Sequence, residues 1–239
     1  LDPLKEILEN MSVYIVLVLD KREANIGLLN GSAVEELVSM TSGVPGKTKA
    51  GGQSAQRFAR IREEMTKEFF KRIADAAQKQ FLEMKDLKGI IIGGPSPTKE
   101  DFFDSNYLNT ELKRKVIGLK DLSYTGEFGL HELVEKSADL LKEEEVTEEK
   151  AAVNKLLEML RKDPDKVAYG KKQVKEALDA GAVEKLLLSE SLAEEELEAF
   201  QDAADVRGTD VQIISIDIRE GAQLRDLGGV AAILRYAMR

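Results

Sequence analysis

The sequence contains no cysteine, no tryptophan and a single histidine, His131. Without cysteine there can be no disulfide, no thiolate nucleophile and no Cys-ligated zinc within these residues. One histidine excludes a His-rich metal site and leaves a Ser-His-Asp triad a single candidate base. Long apolar runs are missing as well. The longest candidates, such as residues 14–19 and 89–92, have strand length, far below the roughly 20 residues of a membrane span. The start, Leu1-Asp2-Pro3-Leu4-Lys5, has neither an initiator Met nor a signal peptide's basic-then-apolar pattern, and it reads as the interior of a longer protein.

What is present is enough for a folded core. The chain has 239 residues, 43% hydrophobic and 33% charged, which suits two ordinary domains. Its net charge of −9 should repel nucleic acid on average. Residues 43–62 are the exception. They hold no acidic residue, and Lys47, Lys49, Arg57, Arg60 and Arg62 give +5 in twenty positions, leaving −14 on the other 219. So concentrated a basic stretch on an acidic protein points to a specific anionic partner; the plain alternative is a solvated loop and an ordinary helix surface.

Patterning predicts an α/β protein with two domains. Residues 11–19 and 25–31 are apolar runs about a short polar turn, which predicts a hairpin. Residues 32–40 have mixed periodicity and lead into a loop, 41–53, with four glycines and one proline. Phe58, Ile61, Met65, Phe69 and Ile73 then recur every three or four residues, one apolar stripe of a long helix running to about Met84. Ser54 is a plausible N-cap for it, placing Gly51-Gly52-Gln53 just before the helix. A buried strand at 89–93, a capping-box spacing at Thr98-Lys-Glu-Asp101 and a strand at 116–119 follow. Turn residues gather at 122–127, so the domain boundary is expected there, giving domains 1–125 and 126–239. Beyond it, helices are expected at 131–142 and 146–162, separated by the acidic run Glu143-Glu144-Glu145. Residues 143–149 read as a solvated face. Helices at 171–180, 193–206 and 220–227 then alternate with strands at 167–169, 183–188, 211–216 and 230–234. That alternation predicts an α/β sandwich with helices on both sheet faces.

Several motifs compete for chemistry. Gly93-Gly94-Pro95 could offer amides to a phosphate but lacks P-loop or dinucleotide-binding spacing, so an ordinary turn is expected. Gly228-Gly229 reads as a turn before a strand, and Asp163 and Asp165 about Pro164 as turn chemistry rather than a metal pair. His131 reads as a helix-surface residue. Gly51-Gly52-Gln53 is different. Adjacent glycines let another molecule approach the backbone closely. Glutamine cannot exchange a proton at neutral pH, yet its side chain can orient a water and its N–H can stabilise a developing oxyanion. With cations on both sides, these properties fit a tip inserted into a negatively charged site that supplies most of the catalytic environment.

The segment from Lys47 to Arg62, built around Gly51-Gly52-Gln53, resembles the Gly-Gly-Gln region of archaeal and eukaryotic class-one peptide chain release factors. The likeness extends through Ile90-Ile-Ile-Gly-Gly-Pro95, Asp121-Leu-Ser-Tyr124, residues 169–178, Gly181-Ala-Val-Glu184 and residues 227–236, nearest the archaeal branch. A surveillance and rescue relative of similar architecture lacks the Gly-Gly-Gln loop, so the loop separates the two. The resemblance implies a mixed-sheet α/β middle domain with a protruding Gly-Gly-Gln loop and a long helix. An α/β sandwich C-terminal domain that binds a translational GTPase would follow.

It also implies cytoplasmic action on the ribosome (large-subunit RNA) and P-site peptidyl-tRNA, with ester hydrolysis only together with the ribosome. No cofactor, metal or membrane is implied. Gly51, Gly52 and Gln53 would act at the ester, and Lys47, Lys49, Arg57, Arg60 and Arg62 would meet RNA phosphates, unless Arg60 or Arg62 pairs with Glu63 or Glu64. Two departures stand out. The family's stop-codon-reading domain is absent from these residues, and residues 189–210, where the family has a small insertion that binds zinc in many archaeal members, hold one helix and no cysteine, so either the chain lacks the insertion or a segment is missing there. The rival readings are a non-enzymatic ribosome or GTPase adaptor whose loop only contacts RNA, and a stand-alone hydrolase with His131 as base.

Overall fold

The computed structural model describes residues 13–44, 53–84 and 87–238, without the side chains of 53–55, 82 and 83. The first unit opens with strands β1 (Val13–Leu19), β2 (Glu23–Asn30) and β3 (Ala33–Thr41), an antiparallel meander. The β1–β2 hairpin is the expected one. Its turn is tied by Asp20, whose carboxylate accepts the N–H groups of Arg22 (2.6 Å) and Glu23 (2.8 Å), an arrangement that Asp favours in turns. The third strand escaped the sequence pattern because it lies at the sheet edge and buries none of its residues fully.

Helix α1 (Gln53–Glu83) leads to β4 (Leu87–Gly94), then to short helices α2 (Thr98–Asp104) and α3 (Thr110–Lys115) and to β5 (Val116–Asp121). The sheet order is β3-β2-β1-β4-β5, with β4 parallel to both β1 and β5. The expected capping box does not form. Pro97 occupies the N-cap of α2, while Thr98 lies inside the helix with its side chain buried. Helix α3, which the periodicity did not reveal, is capped by Asn109, whose side chain accepts the Leu112 N–H at 2.7 Å.

Because β1 alternates its side chains, it supplies two cores. Ile15, Leu17 and Leu19 pack with Phe69, Phe70 and Ile73 of α1 and Phe102 of α2. Tyr14, Val16 and Val18 face the other way, toward Leu130 and Leu133 of α4 (Gly126–Lys136). Each such buried Ile, Leu or Phe contributes about 1.5–3 kcal/mol. Helix α4 therefore closes the second face of this sheet. The domain boundary expected after residue 125 is corrected accordingly: the division falls between Leu141 and Lys142, because a cut at 125 would strip the cover from Val16, Val18 and Ile91. The break expected at the acidic run is also displaced. Helix α5 (Ala138–Lys162) continues through Glu143-Glu144-Glu145, and the interruption lies at Ser137, the C-cap of α4.

The second unit holds β6 (Val167–Tyr169), α6 (Lys171–Asp179), β7 (Val183–Ser189), α7 (Glu194–Asp205), β8 (Asp210–Ile214), α8 (Arg219–Asp226) and β9 (Val230–Leu234). Its sheet runs β6-β9-β7-β8, with β7 and β8 parallel and the other pairs antiparallel. Helices α6 and α7 cover one face through Val174, Leu178 and Leu197; α5 and α8 cover the other through Val153, Leu156 and Leu224. This is the expected sandwich. Glu149 departs from the solvated face foreseen for 143–149: it is buried, and its carboxylate accepts the Ser215 N–H at 2.9 Å.

Candidate functional site

The 31 residues of α1 make a rod of about 46 Å at 1.5 Å per residue. Its fully buried residues lie in the C-terminal half. Phe69, Phe70, Ile73, Ala74 and Ala77 are buried, whereas none of residues 56–68 is. The apolar stripe read from the sequence continues past the core: Ile61 and Met65 are half-buried and Phe58 is 50% exposed. Residues 56–60 are all exposed, so roughly the first 12 Å of the helix, residues 53–60, lies beyond its half-buried stretch at 61–66. Gln53 is the first helical residue, two positions earlier than a Ser54 cap would place the start.

The expected site residues fall into two groups. Lys47, Lys49, Gly51 and Gly52 lie outside the described residues, and so does the side chain of Gln53. Arg57, Arg60 and Arg62 stand on the first half of α1. Arg57 is exposed. Arg60 pairs with Glu64 at 3.3 Å between two exposed side chains, an i,i+4 contact worth about 0.3–0.5 kcal/mol and easily exchanged for a phosphate. Glu63 is taken by Lys67 at 2.7 Å, and that hydrogen bond holds its carboxyl below the usual range. Arg62 has no ion pair among the described residues. It lines an open groove of about 1000 Å³ bordered by the β1–β2 turn, α1 and the α2–α3 connection. Lys21, Arg22 and Tyr107 line the same groove. No sequence spacing links these three to Arg62; the only hint was a Lys-Arg pair at a hairpin tip.

The competing motifs are structural. Gly94 ends β4, and a Cβ there would lie 2.2 Å from the Leu19 carbonyl oxygen, so close strand packing requires glycine. Gly228 and Gly229 adopt φ of 103° and 77°, a turn open to glycine, immediately before β9. Pro164 begins a 3₁₀ turn, Pro164–Lys166, between Asp163 and the strand β6. His131 is exposed on α4. Its neighbour Glu132 instead accepts the Ser123 and Tyr124 N–H groups at 3.2–3.3 Å and pairs with Lys136 at 2.8 Å. Among the described residues no group of three or more His, Cys, Asp or Glu side chains could hold a metal ion, and no helix is long and apolar enough to cross a membrane.

Charge is divided unevenly. Residues 142–239 carry 15 Lys and Arg against 22 Asp and Glu, while residues 1–141 carry 20 against 22. Most of the acidic excess therefore lies away from the sequence that bears the basic stretch.

The family model described as eRF1 domain 2 matches residues 13–143, and that of eRF1 domain 3 matches residues 146–238. Peptide chain release factor subunit 1 of Pyrococcus abyssi is 43% identical, over 98% of this chain and 69% of its own length. The protein of the same name from Thermococcus kodakarensis is 42% identical over the same shares. The first match extends over 285 positions, 46 more than the 239 residues here, so that relative has at least 46 residues without a counterpart in this chain. Between β7 and β8 the described chain has only α7. Among solved structures, a chain of the ribosome-bound archaeal Pelota and ABCE1 model is 28% identical with a TM-score of 0.64, over 94% of this chain and 62% of that one. The chain spans about two thirds of the length of these relatives. It belongs to the eRF1 family of class-one peptide chain release factors, matching the family's second and third domains in order.

Proposed function

We propose that this chain triggers hydrolysis of the peptidyl-tRNA ester in the ribosomal peptidyl-transferase centre. Gly51, Gly52 and Gln53 would be the inserted tip. The reading is carried by one observation: Gln53, which Gly51 and Gly52 precede in the sequence, opens a helix whose residues 56–60 are all exposed, in a chain of the release-factor family. The Gln53 N–H would stabilise the transition state or the leaving 3′-oxygen, contributing on the order of 3–4 kcal/mol. Its side chain would orient the attacking water, and positioning can add several kcal/mol more. No proton-exchanging side chain of this protein is needed, in keeping with an exposed His131.

Lys47, Lys49, Arg57, Arg60 and Arg62 would contact RNA phosphates, which fix register rather than sequence. The unit from Lys142 onward would bind a translational GTPase. The action would take place in the cytoplasm, on the ribosome, without a cofactor.

The adaptor reading draws support from the Pelota likeness, since this fold is shared with a chain of a ribosome-bound Pelota and ABCE1 assembly. Peptide release separates the two. In a reconstituted ribosome assay, Gly52→Ala should abolish release while ribosome binding persists. Gln53→Ala should impair release less, because the backbone donor survives. Full release by Gly52→Ala, or binding by the unaltered chain with peptidyl-tRNA left intact, would remove the hydrolytic reading.

A further inference from the structure

The β1–β2 turn, α1 and the α2–α3 connection come together at the groove that Arg62 lines. Asp20 ties the turn through backbone N–H groups, which leaves Lys21 and Arg22 exposed at its tip. Neither they nor Arg62 have an ion pair among the described residues. Three cations from two distant parts of the sequence, without an ion pair among the described residues, therefore line one cleft on a protein of net charge −9. Tyr107, 37% exposed, lines the same cleft, as does the buried Phe70. Lys67 and Glu63 also line the cleft but neutralise each other, and Asp101 is the one acidic side chain left facing the cations. The balance is positive, with an accessible ring among the charges.

We propose that this groove is a track for single-stranded RNA, with a base stacked on Tyr107 and flanking phosphates held by Lys21, Arg22 and Arg62. A flat ring flanked by cations suits an unpaired base and its backbone, because every base has a π-face and every nucleotide a phosphate. Paired RNA hides its faces in the stack and would leave Tyr107 unused. The inference deepens the termination reading and rests on it for where the RNA comes from: the strand would belong to the ribosome or to tRNA, engaged beside the Gly-Gly-Gln tip.

The test is equilibrium binding of the full chain to a fluorescent, unstructured RNA oligonucleotide, with duplex RNA of the same length as comparison, across a salt series. Tyr107→Ala should weaken single-strand binding about ten-fold, within the range of base–aromatic stacking, and Tyr107→Phe should restore it. Lys21→Ala/Arg22→Ala should lower the salt slope by about 1.4, since each lost phosphate contact on a single strand removes about 0.7. A charge-matched control on α6, Lys172→Ala/Lys175→Ala, should leave affinity and slope as they were. The proposal falls if Tyr107→Ala binds as tightly as the parent, if the control loses as much as the groove variants, if duplex RNA is preferred, or if the parent binds no single strand. Peptide release is measured in parallel. Release that depends on Gly52 with groove variants binding RNA normally removes the groove alone; RNA binding lost in the groove variants without any release by the parent removes the termination reading alone.

Discussion

If the start of α1 is held mainly by the helix itself and the second half by the core, equal backbone perturbations in the two parts should have unequal consequences. Ala59 is exposed near the start of α1, and Ala77 is 2% exposed against the sheet. Glycine costs about 1 kcal/mol relative to alanine at either position through backbone entropy. At Ala59 that cost falls on a stretch that buries no side chain fully and is held by two surface ion pairs, Arg60–Glu64 and Glu63–Lys67, and the half-buried Ile61 and Met65. Ala59→Gly should therefore increase local opening about five-fold and leave the main thermal transition within about 1 °C. At Ala77 the lost methyl adds roughly 0.8 kcal/mol of burial, for a total of about 2 kcal/mol in the cooperative unit. Ala77→Gly should then lower the transition by roughly 5–10 °C. Hydrogen exchange resolved over residues 56–66, with calorimetry of both variants, is the assay. Equal losses of thermal stability would show that the helix start is packed after all. Unchanged exchange in Ala59→Gly would show that something other than helix propensity holds it.

Three further outcomes are open to measurement. A fragment ending at residue 125 should aggregate or stay unfolded, whereas one ending at 141 should unfold cooperatively in urea, because α4 covers Val16, Val18 and Ile91. Lys99, only 3% exposed, is pulled toward a lower pKa by burial, but its hydrogen bonds to Asp121 (2.5 Å) and Glu100 (2.7 Å) outweigh this and leave it raised. The same bonds hold both carboxyls below their usual values. A depressed carboxylate stabilises the fold above its unfolded pKa, about 4, and that stabilisation fades as pH falls through the folded value. Lys99→Met should consequently lose less stability than the parent between about pH 5 and pH 3 in urea titrations. Glu149→Ala should destabilise the second unit by about 1 kcal/mol, seen in its denaturation midpoint, by removing the buried acceptor of the half-buried Ser215 N–H.

The sequence determined those elements whose cause is local. The apolar runs of β1 and β2 about a polar turn, the 3–4 spacing of Phe58 through Ile73, and the regular exchange of helix and strand after residue 167 are written in neighbouring residues, and they appear where the pattern put them. The Gly-Gly-Gln motif and its flanking cations were legible in the same way, as was the family. What depends on distant partners was not. The apolar stripe of α1 could not say where the core beneath it ends, because that is fixed by the width of a sheet assembled from β1 to β5. Turn residues at 122–127 marked a bend in the chain but not a domain edge, since only the far face of β1 shows that α4 is needed to cover it. Lys21 and Arg22 join Arg62 and Tyr107 for the same reason: the groove exists only once a hairpin turn, a helix and a connecting loop have been packed side by side.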